Sequence, residues 1–372
     1  MKSPRISVIL SSFNHSRFIS EAINSVLNQT FRDFELYIID DCSDDNSWEI
    51  IQAFDDPRII AIRNAARSRG AYGFNETIRH KAKGEFIAIH HSDDSWLPTK
   101  LEEQIEFLNE RPKVGAVFTQ VRVIDETGKT FDDAANWYSS AFRQPNRTRV
   151  EWLRHFFLVG NRLCHPSVLA RKQAMLDAGL YDRRLGQITD FDLWVRMCLR
   201  YEIYILDQVL TLFRIRSGAA NQSGNKPETH IRNRNEWPLV MGRLLHIRDE
   251  AEFFAVFPEM RSKACPTNNC LPFLLALRAV ETDVDVMMAF GLDLLYALLE
   301  TESAAADIRE KYGFGYTDLI ALSAQIDRFN GGEFFRLNNE IARMKSTISW
   351  KITKPLRLIA NLPRLVKRAL DS

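Results

Sequence analysis

Runs of branched apolar residues alternate with helical apolar stripes along residues 6–124, and this alternation constrains the fold more than any other feature. Residues 5–11 are rich in Ile and Val with little polar alternation, as in a strand covered on both faces. Phe18, Ile19, Ala22, Ile23, Val26 and Leu27 then form one stripe at helical spacing. Residues 34–39, 58–62 and 86–90 read as further strands. Between them lie a helix carrying Trp48, Ile51 and Phe54, capped by Asp45 or Asn46, and a helix through Asn75 and Ile78 that Gly84 ends. Pro98 opens a helix striped by Leu101, Ile105 and Leu108, and residues 114–124 are strand-like again. Such an order implies an α/β fold, a Rossmann-like and mainly parallel sheet with helices on both faces.

Two of the apolar runs close on acid: Asp40-Asp41 on one, and His91-Ser92-Asp93-Asp94 on the other. Open α/β sheets bind ligands at the C-terminal ends of their strands, so the two clusters predict one crevice lined with carboxylates. Mg²⁺ and Mn²⁺ take hard oxygen ligands and bridge carboxylates to phosphates, and such a crevice suits a divalent metal and a nucleotide. Arg67 and Arg69 are candidate phosphate contacts. If a sugar hydroxyl is the acceptor, a base must take its proton. Asp190, in Thr189-Asp-Phe-Asp-Leu-Trp194, is the choice, with Asp192 second. A helix N-terminus lowers a carboxylate pKa, and burial beside Phe191 and Trp194 opposes that.

Further along, residues 125–149 read as a strand pair plus a loop near the acceptor, 165–171 as strand, 190–200 as helix and 203–215 as strand. A polar stretch at 217–227 precedes segments that read almost wholly helical, which sets domains at 1–225, 226–345 and a basic, amphipathic tail at 346–372. Lys plus Arg is 49 against 48 Asp plus Glu, so no global basic field argues for nucleic acid. The 5 cysteines form no Cys-x-x-Cys pair, so neither a zinc ribbon nor a disulfide framework is suggested and a reducing cytosol fits. The first residues lack a signal-peptide pattern, and no apolar run reaches the ~18 residues of a membrane span.

The ordered stretches Ile6-Ser-Val-Ile-Leu-Ser-Ser-Phe-Asn14, Leu27-Asn-Gln-Thr-Phe31, Ile38-Ile-Asp-Asp-Cys-Ser-Asp44, Ala82-Lys-Gly-Glu-Phe-Ile-Ala88, Ser92-Asp-Asp-Ser-Trp-Leu-Pro98 and Asp190-Phe-Asp-Leu-Trp-Val-Arg196 together resemble inverting glycosyltransferases of family 2, which have the GT-A fold. The resemblance implies that Ser11, Phe13 and Asp41 line the base and ribose pocket and that Arg69 lies near the diphosphate. It further implies that Asp93 meets the ribose, Asp94 the metal (Mg²⁺ or Mn²⁺), and that Asp190 is the general base. It implies a nucleotide-diphosphate sugar as donor, a saccharide or lipid-linked saccharide as acceptor, and surface polysaccharide assembly on the cytosolic face of the membrane. His91 stands where many relatives carry an acid, and could add a nitrogen ligand; Thr189 stands where Glu is common.

Plainer readings compete. Taken alone, the acid pairs fit turn and cap residues, a reading that the ordered motifs outweigh; Phe13 fits the core, and His165, a candidate to approach the acceptor, better fits a satisfied structural histidine. A nucleotidyltransferase would show a Gly-rich loop after the first strand, and residues 11–16 contain no Gly. A sugar-nucleotide-binding subunit without turnover is the non-enzymatic rival, motivated by His91 and Thr189. In the tail, Trp350, Leu356, Ile359, Leu362, Leu365 and Val366 among Lys and Arg suit an anionic membrane interface.

Overall fold

The structure, a computed structural model, describes residues 3–68, 71–130, 137–219, 221, 223–264, 270–328 and 331–346. Strand β1 (Ile6–Ser12) lies between β2 (Phe34–Asp40) and β4 (Phe86–His91), with β3 (Ile59–Arg63) beyond β2, all four parallel. β2 is buried at every position and β1 at nearly every one, which is why both read as unbroken apolar runs. Helix α1 (Ile19–Leu27) buries Ile19, Ala22, Ile23 and Val26 in the main core, the stripe the spacing predicted. Helices α2 (Ser47–Gln52), α3 (Ala71–Glu76) and α4 (Lys100–Glu110) follow β2, β3 and β4 in turn. Of the two capping candidates before α2, Asp45 acts: its Oδ1 accepts from Ser47 N at 2.9 Å.

Beyond β4 the sheet is mixed. A short strand β5 (Ser95–Trp96), the long β6 (Val114–Ile124), β7 (Leu169–Arg171) and β8 (Glu202–Arg214) complete the order β3-β2-β1-β4-β7-β6-β8-β5. β7 runs antiparallel to both β4 and β6, while β6 and β8 are parallel. Helices α5 (Trp137–Ala141), α6 (Arg149–Leu158), α7 (Lys172–Asp177) and α8 (Thr189–Cys198) lie between these strands in the chain.

Three expectations are corrected. Residues 125–149 hold no strand pair among the described positions: after an isolated bridge from Ile124 to Thr130, the chain forms α5. Only the end of 165–171 is strand, because Pro166 sits in a 3₁₀ turn over His165–Ser167. Gly84 does not end the helix before β4, which closes in a wide π turn over Thr77–Lys81. Gly84 instead lets two backbones approach: a Cβ there would lie 2.4 Å from Ser7 N and 2.7 Å from Ile6 C, and Gly84 N donates to Ser7 Oγ at 2.8 Å.

The chain divides into two compact units, Met1–Leu275 and Ala276–Ser372. Helices α9 (Pro227–Met241) and α10 (Glu250–Val256) belong to the first, so the predicted boundary near residue 225 marks the change from strand to helix while compactness continues. Glu236 of α9 shows why: its buried carboxylate accepts from the backbone N–H groups of Gly186, Gln187 and Ile188, just ahead of α8. In the second unit α12 (Asp285–Leu298), α13 (Glu302–Tyr312), α14 (Tyr316–Ser323) and α15 (Gly331–Ser346) follow α11 (Cys270–Val280), a helix that spans the division. No described helix is long and apolar enough to cross a membrane. The tail 347–372 lies outside the described residues.

Candidate active site

The strand register brings the first acid cluster to the middle of the sheet. Ser11 of β1 is level with Ile39 of β2 on one side and His91 of β4 on the other. The two adjacent aspartates then divide. Asp40 is fully buried and holds its own turn, accepting from Ser43 N at 3.0 Å with Arg63 Nε at 3.5 Å. Asp41 turns the other way, into a small cavity lined by Ser11, Ile39, Asn64, Ser68 and Phe74. Its Oδ1 accepts from Asn64 Nδ2 (2.9 Å), Ser68 N (2.8 Å) and Ser68 Oγ (2.7 Å). Asn14 and Cys42, which follow the two strand ends, adopt positive φ of 52° and 64°, a region costly for side chains with a Cβ and frequent at ligand-binding turns. Phe13 is half-buried, with the Arg67 guanidinium 3.8 Å from its ring centroid. Arg69 lies outside the described residues.

The second cluster closes β4. Potential ligand atoms of His91, Asp93 and Asp94 all lie within 4.8 Å of one another. Asp94 Oδ1 accepts from Arg214 N at 2.8 Å, whereas its Oδ2 is buried with no hydrogen-bond partner, 3.8 Å from His91 Nδ1. Burial, then the neighbouring Asp93 charge, pushes the Asp94 carboxyl well above the usual carboxylate range. An unpartnered buried carboxylate oxygen beside a second acid and an imidazole fits a divalent cation, whose charge would favour the ionised form. Asp93 meets one cation already present, Arg216 Nε at 3.1 Å; His15 Nε2 lies 3.9 Å away, and burial lowers the pKa of that imidazole and favours its neutral form. His15 Nδ1 pairs with Ser92 Oγ at 2.6 Å. The fully buried Arg214 ties the cluster to the fold, donating to Asp93 O (2.8 Å), Asp125 O (3.0 Å) and Glu21 Oε2 (2.7 Å).

From this cluster a polar and aromatic path leads to Asp190. His91 Nε2 pairs with His165 Nδ1 at 3.1 Å, and His165 Nε2 with Tyr181 OH at 2.8 Å. Phe74, a wall of the Asp41 cavity, packs on the rings of Tyr181 (5.4 Å) and His165 (6.0 Å). Burial pushes up the Cys164 thiol and the Tyr181 hydroxyl, and the charges of Asp94 and Asp190 add to it at Cys164 and that of Asp190 at Tyr181. Tyr181 thus links the histidine pair to the Asp190 charge and, through Phe74, to the Asp41 cavity. Asp190, second residue of α8, accepts from Asn161 Nδ2 at 3.0 Å. Burial outweighs that bond and the backbone N–H groups of the helix start, raising its carboxyl to about 6. Asp192 is excluded as a base: it is fully buried between Arg196 Nε (2.9 Å) and Arg243 Nε (2.8 Å).

Sequence reasoning missed His15, Asn161, Tyr181, Arg214 and Arg216, and read His165 as structural when it is both satisfied and central. Only Arg214 and Arg216 left a signal, two arginines spaced by two at the end of an otherwise apolar strand.

Residues 7–171 match the sequence pattern described as Glycosyl transferase family 2. An uncharacterized glycosyltransferase of Methanocaldococcus jannaschii is 29% identical over 220 residues, 58% of this chain and 72% of the relative. The Escherichia coli protein WfaP, a UDP-Glc:alpha-D-GlcNAc-diphosphoundecaprenol beta-1,3-glucosyltransferase, is 35% identical over 133 residues, 36% of this chain and 46% of WfaP. The crystal structure of S. aureus TarS residues 1–349 in complex with UDP-GlcNAc superposes with a TM-score of 0.55 at 19% identity, over 81% of this chain and 83% of that one. That likeness shows the fold: a GT-A-like mixed sheet followed by a helical region.

Proposed function

From the match of residues 7–171 to glycosyl transferase family 2, we propose that the chain is a member of that family and moves a sugar, with inversion, from a nucleotide-diphosphate donor to a hydroxyl of a saccharide or lipid-linked saccharide. The observation that carries the reading is Asp190: a half-buried carboxylate raised to about 6, held by Asn161, whose charge is felt at Tyr181 beside the His165–His91 pair. Relatives named for surface-polysaccharide steps support that setting for this chain as well.

In this reading Ser11, Phe13 and Asp41 hold the nucleoside and Asp93 a ribose hydroxyl, with Arg69 near the diphosphate. Asp94 and His91 would hold Mg²⁺ or Mn²⁺, which when bound supplies positive charge beside the departing diphosphate. Asp190 accepts the acceptor hydroxyl's proton while that oxygen forms its bond to the anomeric carbon. The bond to the diphosphate oxygen breaks on the opposite face, its electron pair leaving with the nucleotide, and Asp190 later returns the proton to solvent. The walls formed by Phe74, His165 and Tyr181 exclude water from the path. The Arg216 cation beside Asp93 favours a second reading, a nucleotide-binding subunit without turnover, since at 3.1 Å it already occupies that carboxylate.

Incubation with a panel of nucleotide sugars and Mn²⁺, reading nucleotide diphosphate release and the product's anomeric configuration, separates the two. Turnover abolished in Asp190→Asn with nucleotide binding retained supports transfer. Binding without turnover on any donor and acceptor supports the subunit, and a fully active Asp190→Asn removes the proposed base.

A further inference from the structure

The loop after α6 carries an arginine that the reaction described above does not use. Gly160, at φ +91°, turns the chain where a Cβ would lie 2.5 Å from the Trp237 ring. The next residue, Asn161, holds Asp190, and the one after is Arg162. Arg162 is half-buried, yet it makes no ion pair or hydrogen bond among the described residues; its guanidinium lies 5.0 Å from the ring centroid of Trp137. Trp137 is itself 55% exposed, a large apolar face left to solvent. A second half-buried arginine stands close by. Arg147 lies over Trp152 at 4.7 Å; among the described residues it donates to Pro145 O and Gln144 Oε1, and the Glu151 charge acts on it. Both cations act on the His155 ring between them, which burial and their charges pull down to about 4.

A half-buried guanidinium with no acceptor among the described residues loses part of its hydration, a cost that an anion bound there would offset. The donor's diphosphate is not that anion in the proposed reaction, because it sits with Asp94. Asn161, which holds Asp190, and Arg162 are consecutive, so Arg162 leaves the chain beside the residue that positions the proposed base. We infer that Arg162, backed by Arg147 and with Trp137 as a stacking face for a sugar ring, forms an acceptor subsite for a phosphate or carboxylate group that the acceptor carries near the attacked hydroxyl. This rests on the transferase reading, and it names the acceptor as an anionic saccharide.

The full chain is tested with three probes: N-acetylglucosamine linked through a diphosphate to a short alkyl chain, methyl glucuronide, and the neutral methyl glucoside. Nucleotide release above the acceptor-free rate, expressed as charged over neutral kcat/KM, is the readout. Wild type favours one charged probe by about tenfold or more, as a charge-assisted bidentate contact implies. The preference weakens in high salt. Which charged probe is favoured separates phosphate from carboxylate. Arg162→Gln abolishes the preference, and Arg162→Lys restores part of it. Equal use of charged and neutral probes by wild type, or an unchanged preference in Arg162→Gln, overturns the subsite. If wild type consumes no donor at all, the transferase reading fails instead, and the same charged-to-neutral ratio in probe affinity, followed by tryptophan fluorescence, still decides the subsite.

Discussion

At Asp190 two opposed forces act on one carboxyl group. The N-terminal N–H groups of α8 and the Asn161 amide favour its charge, while burial disfavours it and wins, leaving the group near 6. The ionised form is the base, so kcat is expected to fall about tenfold per pH unit below that value, checked by a pH–rate profile. Asp190→Asn should cost about 10²–10⁴ in turnover. The sign for stability is the reverse. A folded-state pKa raised above the unfolded one contributes stability below pH ~4 that is lost as pH rises through about 6. Asp190→Asn should therefore melt no lower than wild type at pH 7 in a thermal unfolding scan. The residue type and the helix start were legible in Thr189-Asp-Phe-Asp-Leu-Trp194; the outcome was not, because burial comes from the fold. Asp192 shows the same limit: two positions on in the chain, it has equal chemistry but is locked between Arg196 and Arg243.

Elements depend on contacts of two kinds, local and distant, and the sequence shows only the first. The runs that became β1, β2 and β4 and the stripe of α1 were legible because periodicity reports which faces are covered. For β7 a strand was legible within 165–171, but its antiparallel place between β4 and β6 was not, since pairing with strands more than fifty positions earlier leaves no periodic trace. Gly84 was given a local role, yet its reason is the neighbouring strand. Gly84→Ala should lose about 1–3 kcal/mol by chemical denaturation, because the methyl group would meet the β1 backbone rather than a side chain that can swing away. Asp192→Ala should cost more, about 3–5 kcal/mol, since it strands two arginines against α8. A loss below 1 kcal/mol in the same assay would show that Arg196 and Arg243 find other partners.

For the whole molecule, ligand binding and stability are linked. Nucleotide diphosphate with Mn²⁺ at about 100 times its dissociation constant should add ~2.7 kcal/mol of native-state stability, read as a rise in melting temperature. Chelation with EDTA should remove the metal-dependent part, and Asp94→Asn should show little of it. A rise in Asp94→Asn equal to that of wild type would place the cation elsewhere. Deleting residues after 345 should release the protein from membrane fractions if the basic tail carries the proposed contact with anionic lipid.

The sequence by itself determined the alternating α/β order, the acid at two strand ends and the family pattern over residues 7–171, because strand burial, helix spacing and ordered motifs are local properties written along the chain. Only the tertiary structure decided which acids act. Arg214 binds Asp94 from 120 positions away and Glu21 from 193, and such distances carry no signature in a single chain. Asp40 against Asp41, and Asp190 against Asp192, differ by which buried partner each side chain reaches, and the folded environment alone supplies those partners and the burial that sets their charge.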